Sequence, residues 1–124
     1  MKIFHVEDDA DIREIARMSL EMVGGFHVDQ YEHADAALAV AAEARPDVLL
    51  LDVMMPGMTG PQLLAELRKM DHMAHVPAIY MTARVQPQEI EAFKKTGAVG
   101  VILKPFDPVT LGQEITEMLQ SKAA

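Results

Sequence analysis

The sequence predicts an α/β fold: a doubly wound parallel sheet of five strands with helices on both faces. Short strand-like runs alternate with longer segments of helical spacing along the whole chain, which implies parallel strands joined by crossover helices. One run, Val48, Leu49, Leu50 and Leu51, is apolar without alternation and stops at Asp52, as a central strand buried on both faces does. The pattern repeats in five units of roughly 25 residues with no linker or low-complexity segment between them.

Residues 2–6 form the first strand-like run and lead into three acids, Glu7, Asp8 and Asp9. Ile12, Ile15, Ala16, Ser19, Met22 and Val23 then follow helical spacing, with Arg13, Glu14, Arg17 and Glu21 opposite and Gly24-Gly25 as the stop. Asp9 or Asp11 is expected to cap this helix. Residues 26–31 alternate and read as a half-exposed edge strand. An alanine-rich helix over residues 34–44 closes at Arg45-Pro46, before the central strand. Thr59-Gly60-Pro61 opens a third helix on Leu63, Leu64 and Leu67. Residues 77–81 are the fourth strand and end at Thr82, and a fourth helix runs from Gln86-Pro87 through Ile90, Phe93 and Lys94 to Gly97. Residues 99–103 are the fifth strand and end at Lys104-Pro105. Asp107-Pro108 then starts a last helix on Val109, Leu111, Ile115, Met118 and Leu119.

A chain of 124 residues is long enough for one cored domain, expected to span 1–124. Without cysteine it has no disulfide or thiolate chemistry, and with ten methionines and no tryptophan its core is aliphatic. A formal net charge of −8 argues against a nucleic-acid face and against anionic membrane surfaces. No leader pattern follows Met1 and no apolar run reaches membrane-spanning length, so a cytoplasmic protein is expected.

In a doubly wound sheet the functional crevice lies beyond the carboxyl ends of the strands. Four strand ends carry Glu7-Asp8-Asp9, Asp52, Thr82 and Lys104. Taken singly these are ordinary: a helix cap, a turn hydroxyl, a solvated lysine. Converging on one crevice, the carboxylates repel unless they share a hard cation, and oxygen ligands without cysteine suit Mg²⁺. Lys104 supplies a point charge for a phosphoryl group or for the carboxylate itself, and Thr82 a hydroxyl donor. An aspartate among such groups can act as nucleophile and become an acyl phosphate.

These residues resemble the receiver domain of two-component response regulators. The resemblance rests on Val6-Glu7-Asp8-Asp9, on Leu51-Asp52-Val53-Met54-Met55-Pro56-Gly57-Met58-Thr59-Gly60, on Met81-Thr82-Ala83 and on Leu103-Lys104-Pro105-Phe106, and it covers essentially the whole chain. It implies the flavodoxin-like strand order 2-1-3-4-5, with Asp52 as phosphoacceptor. Asp8 is then a direct Mg²⁺ ligand, Glu7 a ligand through water or a weaker contact, and Met54 the donor of a backbone carbonyl. Thr82 becomes the switch hydroxyl, Lys104 the phosphate-contacting lysine, and Lys104-Pro105 a cis peptide. The histidine of the reaction belongs to the partner, a sensor histidine kinase or histidine phosphotransfer protein. Such a receiver catalyses its own transfer and hydrolysis without being a conventional turnover enzyme. Its output runs to a downstream protein through the fourth helix, fifth strand and fifth helix. Because the last helix nearly reaches Ala124, a receiver standing alone is expected, with a fragment of a longer regulator left open.

The sequence also departs from the family. The strand-five aromatic that couples to the threonine is replaced by Val101, and Tyr80 reads as a partly buried packing residue rather than its substitute. Met54 and Arg84 flank the acceptor, where an apolar Met54 under a long Arg84 would hinder the attacking water; a solvated Arg84 is an equal reading. His72 and His75 are expected in solvent, and His5 as a hydrogen-bonded core residue. Three rivals fall behind. An aspartate-nucleophile phosphatase needs a second acid where Met54 stands. A flavodoxin-like cofactor binder needs a hydroxyl- and glycine-rich phosphate loop after strand one, where Glu7-Asp8-Asp9 would repel the phosphate. A phosphorylation-independent pseudo-receiver would not need the full residue set.

Overall fold

The computed structural model describes residues 1–83 and 86–123. Among these, five strands alternate with five helices: β1 (Lys2–Val6), α1 (Ala10–Met18), β2 (His27–Tyr31), α2 (Ala34–Ala41), β3 (Val48–Asp52), α3 (Gly60–Leu67), β4 (Ala78–Thr82), α4 (Pro87–Lys95), β5 (Ala98–Leu103) and α5 (Leu111–Ala123). Every pairing is parallel and the order is β2-β1-β3-β4-β5, the flavodoxin-like order. Val6 therefore sits beside Leu51, so the acids after β1 and Asp52 at the end of β3 open on the same edge.

β3 is buried along its whole length because it feeds two cores. Leu49 and Leu51 pack with Phe4, Val6 and Tyr80 against α2, α3 and α4, whereas Val48 and Leu50 pack with Ile3, Ile79 and Met81 against α1 and α5. Successive strand side chains point to opposite faces, so an unbroken apolar run is what a sheet covered on both sides requires.

The ends of the first and last helices differ from expectation. α1 passes into a π-helical turn over Ser19–Val23, in which Gly24 N–H reaches back five residues to the Ser19 carbonyl at 3.1 Å. That wider turn changes the angular phase, so Met22 and Val23 point to solvent at 79% and 61% exposure while Leu20 is buried in their place. Ile15 also lies outside the buried stripe that Ala16, Ser19 and Leu20 form. α5 begins at Leu111, later than Asp107-Pro108 suggested. The Asp107 carboxylate accepts from Val109 N–H at 2.9 Å, and the Ser19 hydroxyl donates to the Pro108 carbonyl, an acceptor that a continuous helix would give to residue 112. Val109 is exposed as a result.

His75 is exposed as expected, but His72 is half-buried, with its ring Nε2 2.8 Å from the Ala41 carbonyl at the end of α2. The Lys104–Pro105 peptide is cis. No helix among the described residues is long and apolar enough to cross a membrane.

Candidate functional site

The site is assembled at the carboxyl edge of β1, β3, β4 and β5. Asp52, the last residue of β3, is 2% exposed. The chain then turns through Gly57, at φ +85°, into a capping box at α3. There Thr59 Oγ1 accepts from Gln62 N–H at 3.3 Å and Gln62 Oε1 from Thr59 N–H at 3.0 Å. Gly60 N–H donates to the Val53 carbonyl at 2.9 Å. This close approach requires glycine: a Cβ on residue 60 would lie 2.5 Å from the Asp52 carbonyl oxygen.

On the β1 side, Glu7 is fully buried and Asp8 exposed. Asp9 is the cap of α1, its Oδ1 accepting from Asp11 N–H at 2.9 Å and Ile12 N–H at 3.2 Å. Arg13, which helical spacing put on the solvent side, turns back over this loop. Its Nη1 donates to the carbonyls of Glu7 at 2.8 Å and Asp8 at 3.1 Å, fixing the backbone that presents both acids.

Lys104 closes the site from β5. Its Nζ lies 2.9 Å from Glu7 Oε1 and 2.9 Å from Asp52 Oδ1, and its backbone N–H donates to the Thr82 carbonyl at 2.8 Å. Among the described residues, Glu7, Asp8 and Asp52 are the one group of three or more acids or histidines able to share an ion, their oxygens lying within 4.8 Å of one another. The cavity above them is about 380 Å³ and also receives Thr82, Met54 and Glu89, the last from the first turn of α4. Thr82 is buried at the end of β4, while Met54 is 71% exposed. Arg84 lies outside the described residues.

Burial pushes the Asp52 carboxyl up to about 7; the hydrogen bond from Lys104 pulls against that shift and the charge of Glu7 adds to it. Burial lowers the pKa of Lys104, but its bonds to Glu7 and Asp52 outweigh that and hold it above the ordinary lysine range. Three carboxylates thus face a single ammonium. That donor set, all oxygen and in excess of its counter-charge, fits a hard divalent cation such as Mg²⁺.

His5, two residues before Glu7, is fully buried beneath the site. The Gln30 amide nitrogen lies 3.1 Å from its Nδ1, so Nδ1 accepts and the proton sits on Nε2, which has no partner among the described residues. Burial first, then the charges of Lys104, Arg13 and Arg17, lower its pKa to about 3 and keep it neutral.

Asp8, Glu7, Asp52, Met54, Thr82 and Lys104, all expected at one crevice, line one cavity. Sequence reasoning missed Arg13 and Glu89. Arg13 stands four residues after the capping Asp9, one turn into the helix, which was the available signal. Glu89 gave none, because only the placement of α4 over the strand ends brings it there.

The model of the response regulator receiver domain family matches residues 3–116 of the chain. Phosphate regulon transcriptional regulatory protein PhoB of Escherichia coli (strain K12) is 34% identical over 119 residues, 96% of this chain and 52% of that protein. Chemotaxis protein CheY of Pseudomonas aeruginosa is 29% identical over 120 residues, 97% of each chain. Among solved structures, chemotaxis protein CheY4 of Vibrio cholerae is similar at a TM-score of 0.88 and 32% identity, covering 94% of this chain and 97% of its own. The chain spans about half the length of the PhoB relatives it matches. It belongs to the response regulator receiver domain family of two-component systems. Within that family it is of the CheY type. Phosphorylation on aspartate and Mg²⁺ binding at an acidic pocket are general to such domains.

Proposed function

We propose that this chain accepts a phosphoryl group on Asp52 from a phosphohistidine of a sensor histidine kinase or histidine phosphotransfer protein. The reading is carried by one observation: Asp52, buried at the end of the central strand, is held 2.9 Å from Lys104 beside two further acids. In the transfer a carboxylate oxygen of Asp52 attacks phosphorus as the bond to the donor imidazole nitrogen breaks. Asp52 becomes an acyl phosphate and the imidazole leaves. Lys104 shifts from the carboxylate to a phosphoryl oxygen, and the Thr82 hydroxyl donates to another. Asp8, Asp52 and the Met54 carbonyl would hold Mg²⁺, with Glu7 acting through water; the ion supplies neutralisation of the charge that arrives with the phosphoryl group. Hydrolysis reverses the state when water attacks phosphorus and returns the Asp52 carboxylate.

Residues 1–124 act as one receiver unit in the cytoplasm, and the signal leaves through a protein surface on α4, β5 and α5. Support for that face comes from the cavity of about 210 Å³ between α4 and β5, lined by Ile90, Phe93, Lys94, Ala98, Gly100 and Val101. Incubation with Mg²⁺ and acetyl phosphate tests the reading. Intact mass is expected to rise by one phosphoryl group, with no gain in Asp52→Ala or in EDTA. Thr82→Ala is expected to label without the conformational response. Labelling that survives in Asp52→Ala overturns the assignment.

A further inference from the structure

Val101 offers no aromatic ring on β5, so the contacts that hold α4 to the sheet come from other residues. The contacts of α4 are unevenly distributed along it. At its start Gln86 caps nothing with its side chain, and Gln86, Pro87 and Gln88 are exposed. Its one buried residue, Phe93, lies near its end. There the fully buried Tyr80 of β4 meets Phe93 edge to face, with ring centroids 4.9 Å apart. The Tyr80 hydroxyl is 2.7 Å from Thr96 Oγ1, which itself lies 2.6 Å from the Phe93 carbonyl. Thr96 has one hydroxyl proton and spends it on that carbonyl, so Tyr80 is the donor. Among the described residues, the side-chain hydrogen bond that ties α4 to β4 is at the C-terminal end of the helix, and Tyr80 stands two residues along β4 from Thr82.

The other end carries a charge at the site. Glu89, in the first turn, lines the same cavity as Asp52, Thr82 and Lys104. An acyl phosphate carries more negative charge than the carboxylate it replaces, about −1.5 to −2 against −1, which raises the repulsion on Glu89. A helix of nine residues is about 13 Å long, so a small rotation about its far end displaces the first turn by the most. Phe93 touches both the pin and the α4–β5 cavity, so such a rotation reshapes the output groove.

We propose that α4 is a lever whose fulcrum is the Tyr80–Thr96 hydrogen bond and whose moving end carries Glu89 over the phosphoryl site. Tyr80 is then a positioning residue, holding the far end of α4 while its first turn moves. The inference rests on the phosphoacceptor reading above.

Residue-resolved amide exchange of the full chain in Mg²⁺, with and without beryllofluoride as phosphoryl mimic, tests it. In the wild type the mimic is expected to change exchange at residues 88–91 and leave Thr96 and Gly97 unchanged. In Tyr80→Phe the Thr96 and Gly97 amides are expected to exchange about fivefold faster, the factor that one hydrogen bond of ordinary net worth supplies. The mimic-dependent change should also spread to them. A merely structural loss would speed exchange equally in both states. Thr96→Val, at an exposed position, removes the same bond together with the one to the Phe93 carbonyl and should give at least as large an effect, and Tyr80→Phe/Thr96→Val should add nothing beyond Thr96→Val. Glu89→Gln should shrink the change at 88–91 at least twofold without touching Thr96. A Tyr80→Phe map identical to the wild type, or additive effects in the double variant, overturns the lever alone. A wild type that gains no phosphoryl mass with acetyl phosphate overturns the phosphoacceptor reading and the lever with it.

Discussion

Replacing Lys104 by methionine keeps the aliphatic stem and removes the ammonium from between Glu7 and Asp52. Each carboxylate loses a partner at 2.9 Å, in a place where their side chains are 0% and 3% exposed and that of the lysine 14%. A unit pair at that distance is worth about 6 kcal/mol of gross attraction at an effective dielectric of ~20, before desolvation is subtracted. Breaking a buried pair by deleting one partner costs about 3–5 kcal/mol net, and the residual exposure of Lys104 places the expectation near 3. The loss depends on pH with a definite sign. Asp52 already has its carboxyl pushed up to about 7 by burial, and Lys104 is what pulls against that rise, so the variant raises it further. A carboxyl whose folded-state pKa lies above its unfolded value contributes stability that is present below the unfolded value and is lost as pH rises through the folded one. The penalty of Lys104→Met is thus expected near 3 kcal/mol at about pH 8 and to shrink toward about pH 5, where the carboxyl is protonated. Urea unfolding in EDTA at a series of pH values measures it. A variant within about 0.5 kcal/mol of wild type at the alkaline end, or one whose penalty grows in acid, refutes the electrostatic account.

His5 is the group with the opposite sign. Its pKa of about 3, against 6.5 for an ordinary histidine, means that acid protonates the unfolded chain first, so its contribution is intact above about 6.5 and falls as pH drops toward 3. At about pH 5 this amounts to roughly 2 kcal/mol, so the stability difference between His5→Leu and wild type is expected to rise by that much on going from about pH 7.5 to 5. Asp52 titrates in both proteins and cancels in the difference; a flat difference refutes a neutral buried imidazole. Gly60→Ala places a Cβ 2.5 Å from the Asp52 carbonyl oxygen and 3.2 Å from Val53 Cα, both backbone atoms with little room to yield. A loss of about 1–3 kcal/mol is expected despite the better helix propensity of alanine, together with slower labelling of Asp52 by acetyl phosphate. Unchanged stability would show that the β3–α3 junction is looser than its hydrogen bonds suggest.

The strands and the chemistry at their ends were legible in the sequence because both are local. An apolar run such as Val48 to Leu51 states by its own pattern that it is covered on both sides, and an acid, a threonine or a lysine at the end of such a run falls at the crevice of any doubly wound sheet. Strand order came from the family resemblance and agrees with the observed β2-β1-β3-β4-β5. What tertiary structure decided is where side chains go once elements touch. The first helix shows this most plainly: apolar spacing pointed Met22 and Val23 inward, but a π-helical turn moved Leu20 into the core and left both of them in solvent. Lys104 bridges Glu7 across 97 residues of chain, and Glu89 reaches the cavity only because the first turn of α4 is folded beside the strand ends. Tyr80 is the sharpest case. On sequence it is one more apolar residue of a strand, partly buried. In the fold it is fully covered, and its hydroxyl needs a partner that only the end of α4 can supply. A pattern records which face of a strand is buried, but a buried polar atom takes its meaning from the group it meets, and that group is brought to it by the rest of the molecule.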